Sequence, residues 1–101
     1  MLKLRIAPEA TFQAKVAIPV PGGEPTQIQI ECRYMDKPTL DQKVKDLTDD
    51  EFAAEVVVGW SGVDEEFSAE GFAYLLKTYV GSSREIVTAY LRELTGARPG
   101  N

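Results

Sequence analysis

The chain has 101 residues, 44% of them hydrophobic, with a formal net charge of −5, one cysteine and no histidine. A chain of this length fits one domain with a modest core, burying somewhat over ~60% of its unfolded surface. The missing histidine excludes Ser-His-Asp and Cys-His catalysis, and the lone Cys32 excludes an internal disulfide or a Cys/His zinc set.

The charge is unevenly spread. Residues 1–45 carry seven basic and five acidic side chains, residues 77–101 carry four and two, and residues 46–76 hold nine acids and no base. Such a stretch repels phosphate backbones, whose affinity for proteins comes mainly from Lys and Arg displacing counterions, so nucleic-acid binding is not expected. The opening MLKLRIAP alternates charge with apolar residues and lacks the continuous apolar run of a signal peptide. No stretch approaches the length of a membrane span. The expectation is a cytoplasmic protein with no membrane contact. Leu2, Leu4 and Ile6 offer a short strand at the very start.

In TFQAKVAI (11–18) the residues Phe12, Ala14, Val16 and Ile18 alternate with more polar neighbours, and in TQIQIECRY (26–34) so do Ile28, Ile30, Cys32 and Tyr34. Period-two alternation means one buried face and one wet face. The prolines and paired glycines of PVPGGEP (19–25) cannot continue a ladder, so the two runs form an antiparallel hairpin with a long tip.

From residue 38 the period becomes helical. Thr39 with Gln42, Thr48 with Glu51 and Ser82 with Glu85 each fit a capping box, in which hydroxyl and longer side chain satisfy free N–H groups at a helix start. Leu40, Val44 and Leu47 share a face of a first helix, and Phe52, Val56 and Trp60 a face of a second. Three consecutive valines at 56–58 favour strand on propensity alone. Ser68 caps a third helix with Phe72, Leu75, Leu76 and Tyr79 inward, stopped by Gly81. Ile86, Val87, Tyr90, Leu91 and Leu94 line a fourth, stopped by Gly96. The fold class is therefore α+β: a single domain with a β-hairpin region at 1–36, possessing two or three strands, a region of about four short helices at 38–96, and a loose tail at 97–101.

Little catalytic chemistry emerges. Cys32 falls on the apolar face of its strand, the place of an inert core thiol. The clusters Asp49-Asp50-Glu51 and Asp64-Glu65-Glu66 lack calcium-loop spacing. They precede or open helices, where the dipole favours negative charge. No enzyme activity, metal or cofactor is expected. The segment VVVGWSGVDEEF (56–67) has two readings. Trp60 and Val63 form a packed turn in which Gly59 and Gly62 supply conformations other residues resist, or Trp60, Val63 and Phe67 form the lip of a protein-binding groove. Tyr74 lies off the apolar stripe of its helix, and exposed Tyr is enriched at interfaces.

Along nearly its whole length the chain resembles the tail assembly chaperones of long-tailed bacteriophages and prophages. The likeness rests on APEATF (7–12) leading into AKVAIPVPGG (14–23), RYMD (33–36), GWSGVD (59–64) before EEF, and AYLRELTGAR (89–98) followed by Asn101. It departs from the family pattern at RYMD, where a more basic segment is usual, and at Val80-Gly81-Ser82, where a proline often precedes the glycine. The resemblance implies a non-catalytic, self-associating protein that coats the tape measure protein, helps recruit tail tube subunits and is absent from the mature virion. The nine acids of residues 46–76 keep open an alternative, an acidic inhibitor or antitoxin-like protein masking a basic partner.

Overall fold

A computed structural model describes residues 3, 4, 6, 7 and 9–96. The expected loose tail at 97–101 lies outside them. The elements run β1 (Thr11–Ile18), β2 (Thr26–Arg33), α1 (Lys37–Asp46), α2 (Asp49–Val56), β3 (Val57–Ser61), α3 (Ala69–Thr78) and α4 (Ser82–Thr95). This is the α+β arrangement expected, with a hairpin first and four helices after it.

The hairpin register pairs Phe12 with Cys32, Ala14 with Ile30, Val16 with Ile28 and Ile18 with Thr26. Antiparallel partners project to the same face, so the two apolar sets coincide. Ala14, Val16, Ile18, Ile28, Ile30 and Cys32 are all buried. Tyr34, read as the last member of this set, lies beyond the strand and is 42% exposed. On the opposite face Thr11 donates to a Glu31 carboxylate oxygen at 2.7 Å, and Gln29 donates to Gln13 at 3.0 Å.

The third strand is not where the opening residues suggest. Leu2 lies outside the described residues, and Leu4 and Ile6 sit in no strand, 95% and 97% exposed. Instead β3 pairs antiparallel with β2, giving the order β1-β2-β3. Helix α2 therefore ends at Val56, and Trp60 belongs to β3 instead of the second helix. A bulge explains the misreading. Cys32 pairs with Val57 and Glu31 with Gly59, so Val58 is an extra residue. It lets Val57 and Trp60, three apart, both face the core with their partners Cys32 and Ile30, whereas a regular strand would turn one of them away. The resulting spacing of Phe52, Val56 and Trp60 mimics a helical stripe.

Two of the expected caps move. The N-cap of α1 is Asp36, which accepts the Thr39 backbone N–H at 3.0 Å, with Pro38 in the first turn. Hydrogen bonds from the Thr39 side chain and backbone hold the Asp36 carboxyl below its usual range. At α4 the N-cap is Gly81 with no side-chain cap, and Ser82 is swallowed into the interior. The Thr48–Glu51 capping box forms in full, and Ser68 accepts from Gly71 N–H at 2.9 Å. Helix α3 stops at Thr78, earlier than Gly81, while α4 ends as expected at left-handed Gly96.

The core is closed by α4 lying on the inner face of β1 and against α2. Ile86, Ala89 and Tyr90 of α4 meet Phe52, Ala53 and Val56 of α2 over the sheet. Tyr90 is fully buried, donates its hydroxyl to the Arg33 carbonyl at 2.7 Å, and stacks edge-on against Phe52 at 5.4 Å. Phe72 and Leu76 bring α3 onto the same cluster, with Leu75 and Tyr79 half-buried. Helix α1 buries none of its residues, and Val44, read as inward, is 54% exposed.

Candidate protein-binding site

The segment between β3 and α3 determines what surface the chain can offer. Trp60 leaves the strand with its indole N–H donating to the Glu65 carbonyl at 2.8 Å, which ties the following loop back on itself. Its ring meets Phe67 edge-on at 5.3 Å and Phe72 at 6.2 Å, and Phe67 meets Phe72 at 5.8 Å. This aromatic triad pins the start of α3 to the end of the sheet. Gly62 makes the turn possible, with φ of 86° and a Cβ position only 3.4 Å from the Ile28 Cα. Gly59 does not share that role: its φ is not positive, and it faces Glu31, whose carboxylate oxygen would lie 3.2 Å from an added Cβ.

Helix α3 thereby stands between two depressions. On one side a groove of about 600 Å³ runs between α2, β3 and α3. Its apolar wall includes Ala54, Val58, Phe67, Phe72, Ala73 and Leu76, and its charged rim carries both signs, Asp50 and Glu51 with Arg33 and Lys77. On the other side a hollow of about 660 Å³ is lined by Trp60, Val63, Tyr74, Leu75 and Tyr79, with Asp64 and Glu65 at its edge.

Of the four candidate contact residues, Trp60, Val63 and Tyr74 meet at the hollow, and Phe67 lines the groove instead. Tyr74 is 67% exposed. Trp60 is half-buried and belongs to both readings: its indole N–H braces the loop, and the residue also lines the hollow. Sequence reasoning missed Ala54, Val58 and Ala73. Exposed alanines on two helices carry no signal until those helices are known to be neighbours.

Catalytic groups are scarce here. Burial, and then the charge of Glu31, push the Cys32 thiol up to about 12, so it stays protonated and unreactive. Among the described residues no group of three His, Cys, Asp or Glu could hold a metal ion. No helix among them is long and apolar enough to cross a membrane. The acids of residues 46–76 are spread over several tasks: Glu51 completes the α2 capping box, Glu55 pairs with Lys43 at 2.7 Å, and Asp64 and Glu65 edge the hollow.

No curated protein and no solved structure matches the chain. A family model described as phage tail assembly chaperone matches residues 1–101, the whole sequence. A fold whose surface features are an apolar groove and an aromatic hollow suits that assignment, and the chain belongs to the phage tail assembly chaperone family.

Proposed function

We propose that the chain binds apolar segments of the tape measure protein in the groove between α2, β3 and α3, keeping that long client soluble while the tail assembles. The observation that carries this reading is the groove itself: an open apolar trough with charges of both signs at its rim, on a chaperone-family chain. An amphipathic helix lays its apolar face into such a trough and offers its own charges to the rim. Each contact is weak, and many copies along one client supply strength through effective concentration. The same copies help recruit tail tube subunits and are displaced as the tube closes. The work takes place in the host cytoplasm without catalytic turnover, and the protein does not remain in the virion.

The test uses Ala73, which is exposed and lines the groove. Ala73→Glu places a long charge in the trough while keeping a strong helix former. Binding of an amphipathic tape measure peptide should fall at least about tenfold, a loss of ~1.4 kcal/mol, with the circular dichroism spectrum unchanged. Equal binding of the peptide and a scrambled copy to the unaltered chain would defeat the groove reading.

A further inference from the structure

We propose that the hollow between the 61–66 loop and α3 reads arginine: it takes an arginine flanked by apolar residues from an exposed segment of a partner protein other than this chain. The site lies on the other side of α3 from the client groove and does not rest on that groove taking a client.

The walls and the charges of the hollow point to the same occupant. It is lined by the rings of Trp60, Tyr74 and Tyr79 together with Val63 and Leu75, and Tyr74 is 67% exposed. The charges that line it are both negative, Asp64 and Glu65, and a neighbouring depression that shares these two acids adds Glu66. Glu51 is spent on the α2 cap and Glu55 on Lys43. By contrast, the carboxylates of Asp64 and Glu65 make no hydrogen bond or ion pair among the described residues. Free carboxylates beside aromatic rings suit a guanidinium, whose planar fork donates to the acid while its face stacks on a ring. Val63 and Leu75 then meet apolar neighbours of that arginine. The groove lacks this selectivity, because Arg33 and Lys77 stand at its rim. The described arginines of the chain itself are poor occupants: Arg84 and Arg92 are each followed by a glutamate, and Arg33 lines the groove.

Trp60 is the chain's single tryptophan and lines the hollow, so its fluorescence reports occupancy directly. The probe is a short capped peptide with one arginine between two leucines, titrated into the dilute full chain. Emission should change saturably, with weaker binding in high salt. Lysine in place of the peptide's arginine should weaken binding about threefold, and glutamine at least about tenfold. On the protein, Asp64→Asn with Glu65→Gln should weaken binding at least about tenfold. Tyr74→Ala, at an exposed position, should weaken it about threefold, and both altered chains should keep their circular dichroism spectrum. Ala73→Glu, which fills the groove, should leave binding of this peptide within about twofold of the unaltered chain. No saturable change up to about 1 mM peptide overturns the proposal. So does equal binding of the arginine and glutamine peptides, or a folded Asp64→Asn, Glu65→Gln chain that binds as tightly as the unaltered one. Loss of binding in Ala73→Glu seats the peptide in the groove and also overturns it.

Discussion

Helices α4 and α1 both carry an apolar stripe, yet only one is built into the core. In α4, Ser82, Ile86, Ala89 and Tyr90 are buried, whereas α1 buries nothing. The difference lies in the seat each finds. Helix α4 rests on the inner face of β1 and against α2, with two apolar surfaces meeting its stripe. Helix α1 is held by its Asp36 cap, by the partial packing of Leu40 and Leu47, and by one surface ion pair from Lys43 to Glu55. A stripe specifies which side of a helix turns inward; the neighbours decide how far. Stability therefore concentrates in the sheet, α2 and α4, leaving the periphery free to present surfaces to other chains.

The largest effect should come from Tyr90. Tyr90→Ala removes a fully buried ring and should cost about 3–5 kcal/mol in urea unfolding. Tyr90→Phe loses only the hydrogen bond to the Arg33 carbonyl and should cost about 1 kcal/mol. Leu40→Ala on α1 should cost well under half of the Tyr90→Ala value, since its side chain is only partly buried. Equal costs for the two alanine variants would abolish the distinction between the helices.

Alkali probes the same core from another side. Burial, then the charge of Cys32, pushes the Tyr90 hydroxyl up to about 12, and the Cys32 thiol is raised to about 12 by its own burial. Both groups ionise more readily when unfolded, near their ordinary values of 10.0 and 9.0. As pH climbs past 9.0, the unfolded chain therefore sheds protons that the folded one keeps, and stability must fall toward pH 12. Cys32→Val should delay the onset of that fall by about one pH unit, to where tyrosine begins to ionise. An unchanged alkaline profile would mean that the thiol is not sealed in the folded protein.

Much of this organisation is legible from residue order, and its failures have physical causes. Alternation in β1 and β2 reveals the sheet face because both strands are regular and wet on one side. Strand β3 resists the same reading: its bulge at Val58 breaks the period of two, and its run continues directly from the end of α2 without a turn residue between. The three valines were the available warning, since β-branched side chains favour strand. Trp60, Val63 and Tyr74 are recognisable as surface candidates from glycine flanks and from position off a stripe. The groove is not, because it exists only once β3 has brought α2 and α3 side by side. Asp36 could have been found as the cap of α1 from the Pro38 that follows it, a residue suited to a first helical turn.

The smallest predicted effects separate two helix starts that look alike on paper. Thr48 and Ser82 are each followed three residues later by a glutamate. At α2 the start is exposed, and the reciprocal bonds form: Glu51 N–H donates to the Thr48 hydroxyl at 3.2 Å, and Thr48 N–H to the Glu51 carboxylate at 2.9 Å. At α4 the start is drawn inward until Ser82 is 0% exposed, and its hydroxyl finds no hydrogen-bond partner. A satisfied cap stabilises, whereas an unpaired buried hydroxyl costs its desolvation. Thr48→Ala should therefore lower stability by about 1 kcal/mol, and Ser82→Ala should raise it by about 1 kcal/mol. The opposite signs follow from the depth at which each helix begins, which is the property that separates α4 from α1. A loss at Ser82 matching that at Thr48 would mean that the hydroxyl is capping α4 after all, and that the helix begins nearer to solvent than its buried stripe implies.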